Sequence, residues 1–163
     1  MNRSTPITWR ELRGLVQWLA LVLVVAILGG MATRSSVSDW YPQLVQPGFA
    51  PPNAVFGPVW AVLYVIMAYA AWRIWRTHGF AGAPWALGLF LVQLALNLLW
   101  SILFFGLQQI GFALFEIVIL WFMILATVLL FWRRDRIAGA LLLPYLAWVG
   151  FAAVLNHAFW VLN

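Results

Sequence analysis

Five long, predominantly apolar runs constrain this chain more than any other feature. They extend approximately from Leu15 to Ala32, Ala54 to Trp72, Pro84 to Phe105, Ile110 to Phe131 and Ile137 to Leu162. Each is close to the roughly 20 residues a helix needs to cross a hydrocarbon core of about 30 Å. The chain is 66% hydrophobic and 8% charged, a balance that excludes a water-soluble globule of 163 residues. Lipid can satisfy no backbone N–H or C=O, so each run has to be a helix or a strand of a closed barrel, and the runs lack the alternation of barrel strands. The expected fold is all-α: a single membrane domain covering residues 1–163 and built as a five-helix bundle.

The first run follows Arg3, Arg10 and Arg13 and is trailed by Gly29, Gly30 and Ala32, a pattern shared with cleavable signal peptides. Its length exceeds the usual signal core of about 7 to 15 residues, so it is read as the first span. Arg73 and Arg76 after span two, and Arg133, Arg134 and Arg136 after span four, fall on the same side as the N-terminal arginines; the other side has only Arg34. The positive-inside rule then puts the N-terminus in the cytoplasm if the membrane is a bacterial inner one. Nine basic residues flanking lipid spans do not form a nucleic-acid surface. Cysteine is absent, which removes disulfides and thiolate metal sites.

One connection is long. Thr33 to Asn53 carries Pro42, Pro47, Pro51, Pro52 and Gly48, the composition of a stiff, ordered segment of the kind that covers binding sites. Pro51 and Pro52 suit the first turn of span two.

Polar and aromatic residues recur at helical spacing in three spans: Gln93, Asn97, Trp100 and Phe104 in the third, Phe56, Trp60, Tyr64 and Met67 in the second, and Trp148, Ala152, Leu155 and Asn156 in the fifth. Amides facing another helix act as interhelical glue, and each stripe alone is explained by packing. Depth adds to this. At about 1.5 Å per residue, Trp60, Asn97 and Ala152 each lie about 12 Å below the loop side, so the stripes share one leaflet. An apolar cavity with a few amides under a Pro-rich loop suits a flat hydrophobic ligand.

Glu116 is the one carboxylate inside a span. Intramembrane acids are functional candidates, yet this one is shallow enough to reach interfacial water or an amide. His78 and His157 fall on opposite sides and cannot share a metal; His157 alone is a candidate axial haem ligand, or an interfacial side chain. No carboxylate pair, Ser-His-Asp set or glycine-rich phosphate loop is present, which excludes conventional acid–base hydrolysis. Trp9, Trp18, Trp40, Tyr41, Trp72, Trp75, Trp132 and Trp160 lie near span ends, as aromatic belts do.

The segments Trp40-Tyr41-Pro42-Gln43-Leu44, Gln46 to Pro52, Phe56-Gly57-Pro58-Val59-Trp60, Leu63-Tyr64 and Met67 resemble the TspO and translocator protein (peripheral-type benzodiazepine receptor) family of tryptophan-rich sensory proteins. So do Gln93, Asn97, Trp100 and Phe104-Phe105-Gly106, and Pro144-Tyr145, Trp148 and Leu155-Asn156, in the family's order along nearly the whole chain. The resemblance implies a bundle, commonly homodimeric, that binds porphyrins, haem and isoquinoline- or benzodiazepine-type ligands under the first loop, with no obligatory cofactor. It implies pocket roles for Asn97, Ala152 and Leu155, and for Trp60 and Trp148 a part in light-dependent porphyrin breakdown.

The candidate ligand-binding set is thus Trp40, Phe49 and Pro51 in the loop, Phe56, Trp60 and Tyr64 in span two, Gln93, Asn97, Trp100 and Phe104 in span three, Phe112 in span four, and Trp148, Ala152, Leu155 and Asn156 in span five. Phe49 and Phe112 depart from family tryptophans, so drug affinity is expected to differ. The family's sterol pattern is broken at His157 with no basic residue after it, so cholesterol binding is expected to be poor.

Three functions follow as expectations. The first is a tetrapyrrole-binding membrane sensor or regulator. The second is a light- and oxygen-dependent porphyrin-degrading enzyme using Trp60 and Trp148. The third is a transporter of small hydrophobic ligands, for which the spans show no charge relay or inverted repeat. Gly88 and Ala95 would allow close approach of a second subunit or serve packing within one chain.

Overall fold

The computed structural model describes residues 8–163, and all of its regular structure is helical. Arg3, one of the orientation residues, lies outside the described part. Helix α1 spans Trp9–Asp39, α2 Asn53–Gly82, α3 Pro84–Ser101, α4 Ile110–Arg134, α5 Arg136–Leu141 and α6 Leu143–Leu162. The first four, with α5 and α6 together as the fifth, are long and apolar enough to cross a membrane. The chain is an integral membrane protein.

Thr8 starts α1 with a capping box: its side chain accepts from the Glu11 amide, and Glu11 accepts from the Thr8 amide at 2.7 Å. The helix then runs past Ala32, where the sequence suggested its end. No glycine or proline interrupts Thr33 to Asp39, and the hydroxyls of Thr33 and Ser38 bond back to carbonyls one turn earlier, at Gly30 and Ser35. The roof segment is therefore Trp40–Pro52, shorter than expected, and opens with a 3₁₀ turn at Tyr41–Gln43 where Pro42 stops the helix. Pro52 is the N-cap of α2 rather than part of its first turn.

Helix α2 also overruns its expected end at Trp72. It stays regular until Gly79, whose φ of 62° is a left-handed conformation suited to glycine. The α3 helix widens into a π-helical turn at Ile102–Gly106, with Leu107 N–H reaching the Ile102 carbonyl at 2.7 Å. The fifth span is two helices rather than one, because Pro144 has no N–H to continue the ladder through Leu142. Asp135 sits between α4 and α5; it accepts from the Ile137 and Ala138 amides and pairs with Arg73 of α2 at 2.8 Å. A Cβ on Gly139 would stand 2.8 Å from the backbone of Trp132, so this reversal can be tight only with glycine there.

α1 packs on α2 and α3, α3 on α4, and α4 on α6. Small fully buried residues on α2, including Ala68, Ala70 and Ala71, bring it close to its neighbours. Phe90 and Phe131 stack at 6.0 Å across α3 and α4. The outer surface carries exposed Val24, Ile27, Phe115 and Phe122, the complement of lipid tails.

Candidate functional site

The loop-side half of the bundle encloses a cavity of about 450 Å³, within the usual size of small-molecule sites. Three helices bring the predicted stripes to it. α2 contributes Phe56, Trp60 and Tyr64, α3 contributes Asn97, Trp100 and Phe104, and α6 contributes Trp148, Ala152, Leu155 and Asn156. The depth estimate from helical rise placed Trp60, Asn97 and Ala152 together, and the cavity wall contains all three; Met67 and Gln93, the other members of the stripes, are buried away from it. No residue of the wall carries a formal charge.

The aromatic part of the wall is held by ring–ring contacts. Trp60 lies 5.6 Å from Tyr64 and 6.2 Å from Tyr145, Phe56 meets Trp148 edge to face at 5.9 Å, and Trp100 stacks on Phe104 at 5.2 Å. The Trp100 indole donates to Asn156 Oδ1 at 3.0 Å, and Asn156 Nδ2 donates to the Ile110 carbonyl at 3.0 Å, so one amide orients an indole and ties α6 to the start of α4. Tyr64 donates to Asn97 Oδ1 at 2.8 Å; Asn97 Nδ2 donates to the Tyr145 hydroxyl at 3.3 Å, and that hydroxyl donates to Gln93 Oε1 at 2.7 Å. The amides are thus interhelical glue, and Asn97 and Asn156 also border the cavity.

Phe104 and Phe105 of the π-helical turn both border the cavity, as sequence neighbours on the regular helices also do at Trp100 and Ser101 and at Leu155 and Asn156. The Phe105 carbonyl is one of the last of the helix and has no intrahelical donor, so it accepts the hydroxyl of buried Ser36, fastening the end of α1.

The roof rests on this assembly. Tyr41 is buried between Phe105 and Phe159, at 5.8 and 5.2 Å, and burial pushes its phenol above the ordinary value, so it stays protonated. Trp40 packs edge to face on Phe104 at 5.7 Å. Val45 exchanges two backbone hydrogen bonds with the Asn163 side chain, at 2.9 and 3.3 Å.

Other predicted residues stand apart from the wall. Trp40 lies behind Phe104, Phe49 is half exposed against Phe151, and Pro51 belongs to the roof segment. Gln93 is buried in a second tier behind Tyr145, its Nε2 without a protein partner. Phe112 is 69% exposed on the outer face of α4, a helix that gives the cavity no lining residue. His157 is exposed beside Trp160 on the outer side of α6. Glu116 reaches neither an amide nor the surface: it is 5% exposed, and neither oxygen has a protein partner.

One wall went unpredicted. Ala26, Gly29, Gly30, Thr33 and Val37 of α1 line the cavity, together with Tyr41 and Ser101. Their spacing of three, four and seven residues was a helical stripe available in the sequence, made of residues too small to draw notice.

A family model described as the TspO/MBR family matches residues 18–161. The chain is 39% identical over 149 residues to the tryptophan-rich protein TspO of Archaeoglobus fulgidus, covering 91% of this chain and 96% of the relative. It is 39% identical over 151 residues to the translocator protein of Sus scrofa, covering 88% and 89%. It is 34% identical to the tryptophan-rich sensory protein of Cereibacter sphaeroides, covering 91% and 94%.

Proposed function

The chain belongs to the TspO/MBR family, and from that premise and the make-up of its cavity we propose that it is a membrane sensor or regulator that binds a tetrapyrrole, porphyrin or haem, beneath the Trp40–Pro52 roof. The carrying observation is the wall itself: Trp60, Trp100, Trp148 and Phe56 enclose an uncharged hollow large enough for a flat aromatic ring. Isoquinoline- or benzodiazepine-type ligands have the same apolar, planar chemistry and would compete for it. Haem would find aromatic faces for its ring here and no histidine, methionine or cysteine for its iron; the Tyr64 hydroxyl is committed to Asn97. Titration of the purified protein with protoporphyrin, followed by quenching of tryptophan emission, tests the reading. Saturable one-site quenching, weakened by Trp100→Ala and by an isoquinoline competitor, is expected; non-saturable quenching overturns it.

Light- and oxygen-dependent porphyrin degradation is a second reading, favoured by the presence of two indoles, Trp60 and Trp148, on the wall of one cavity. Loss of porphyrin absorbance that needs protein, light and oxygen together, and that disappears in the Trp60→Phe, Trp148→Phe double variant with binding retained, supports it. Loss at the same rate in that variant defeats it. Transport has no comparable support in the wall, and flux in proteoliposomes would be needed to revive it. A second copy of the chain would seat on the outward face of α3, where Gly88 has open space above it and Ala95 is exposed. Cross-linking through Ala95→Cys in a bilayer tests that homodimer.

A further inference from the structure

A second hollow lies at the opposite, arginine-rich end of the bundle. It is a groove of about 500 Å³ bounded by Ile66 of α2, Trp132 of α4, Arg136, Ile137 and Ala140 of α5, and Pro144 of α6. The groove opens on the outer surface, where Trp132, Ile137 and Ala140 are exposed. Its floor is apolar and its single formal charge is Arg136. Among the described residues, neither the Arg136 guanidinium nor the Trp132 indole N–H has a hydrogen-bonding or ion-pair partner in the protein.

Charge decides what fits. Both carboxylates at this end are engaged: Asp135 pairs with Arg73 at 2.8 Å and caps α5, and Glu11 lies 3.7 Å from Arg76. A cationic headgroup would find no free anion here. Arg10 and Arg76 lie over the rings of Trp75 and Trp72, whereas Arg136 stands over an open apolar groove. A ligand that complements it carries a negative charge at one end and a hydrocarbon chain at the other, and membrane lipid supplies both next to this surface.

We propose that this groove binds an anionic glycerophospholipid, its phosphate held by Arg136 with the Trp132 N–H as second donor, and one acyl chain lying along Ile66, Ile137, Ala140 and Pro144. The site is separate from the cavity under the roof and independent of what that cavity holds. The lipid would bridge α2, α4 and α5 at the reversal around Asp135.

Native mass spectrometry of the full-length protein released from detergent tests this, with phosphatidylglycerol and phosphatidylcholine of identical chains as probes. Wild type should retain phosphatidylglycerol in preference by about fivefold, the factor one basic residue supplies beside an anionic group. Arg136→Gln should abolish the preference, and Ala140→Trp, which fills the groove, should lower retention of both lipids. Arg34→Gln, at the far end, should change neither. Inorganic phosphate should leave the lipid bound, which separates a lipid from a free anion. The proposal falls if Arg136→Gln keeps the preference, if Ala140→Trp retains lipid like wild type, or if phosphate alone displaces it. A protein dimer in place of a lipid adduct, lost in Ala140→Trp, would equally overturn it in favour of a second copy. Both substitutions lie at exposed positions, and an unchanged unfolding midpoint would confirm that the fold is intact.

Discussion

Tyr145 and Gln93 are joined by a 2.7 Å hydrogen bond deep in the bundle, and Asn97 and Tyr64 continue that chain to the cavity wall. A hydroxyl and an amide with no water to fall back on hold α2, α3 and α6 in one arrangement. Tyr145→Phe should leave Gln93 Oε1 and Asn97 Nδ2 without their partner and destabilise the protein by about 1–3 kcal/mol. Tyr64→Phe removes one bond at the cavity edge and should cost about 1 kcal/mol. Unfolding in mixed micelles measures both; equal effects would mean the deeper bond contributes nothing extra.

The pair Arg73–Asp135 sets a pH limit. Burial pushes the Asp135 carboxyl up, but the Arg73 hydrogen bond and the Ala138 and Ile137 amides outweigh it and hold the group below its ordinary range. Because the folded value is depressed, the stabilisation is fully present above the unfolded value of about 3.9 and is lost as pH falls through the folded one. Unfolding midpoints should be flat with respect to this group from pH 8 to about 5 and decline below about 4. Asp135→Asn should lower the midpoint at neutral pH and shrink that acid decline; an unchanged acid decline would show that the pair does not control it.

Gly139→Ala should be the most damaging conservative change at the α4–α5 reversal. Its Cβ would meet backbone of Trp132 at 2.8 Å, and backbone cannot swing aside as a side-chain tip can. A loss of about 1–3 kcal/mol is expected. Gly30→Ala, where a Cβ inside α1 meets nothing within 4 Å, is the matched control and should be no less stable than wild type, with a gain of up to about 1 kcal/mol.

Glu116 is buried with both oxygens unpartnered by protein, so its polarity is a burden on the fold. Glu116→Met, of similar shape and without the carboxyl, should raise the unfolding midpoint. A fall in the midpoint would mean that the carboxyl holds a bound water or ion.

The five spans were legible because lipid demands long apolar helices and little else competes with that signal. The shared depth of Trp60, Asn97 and Ala152 was legible for a related reason: helical rise is fixed, so position along a span converts to depth. Helix rotation was legible only where polar or aromatic stripes marked a face. In a bilayer both the lipid-facing and the protein-facing sides are apolar, so on α4 hydropathy did not show that Phe112 turns outward, and on α1 the small-residue stripe through Gly29 and Gly30 carried no polar or aromatic mark. The extension of α1 through Ser35 and Ser38 escaped a hydropathy reading because those residues are polar, although nothing in them breaks a helix. The widened turn at Ile102–Gly106 left no mark in the sequence, because π-helical turns have no residue requirement.

Ser36 grips a main-chain oxygen, the one at Phe105, and not a side chain. The identity of residue 105 can therefore change without breaking that bond, although its ring also supports Tyr41 of the roof. A change at Ser36 would release α1 while leaving the ring of Phe105 under Tyr41, whereas a change of that ring would disturb the seat of the roof while leaving the grip of Ser36 intact.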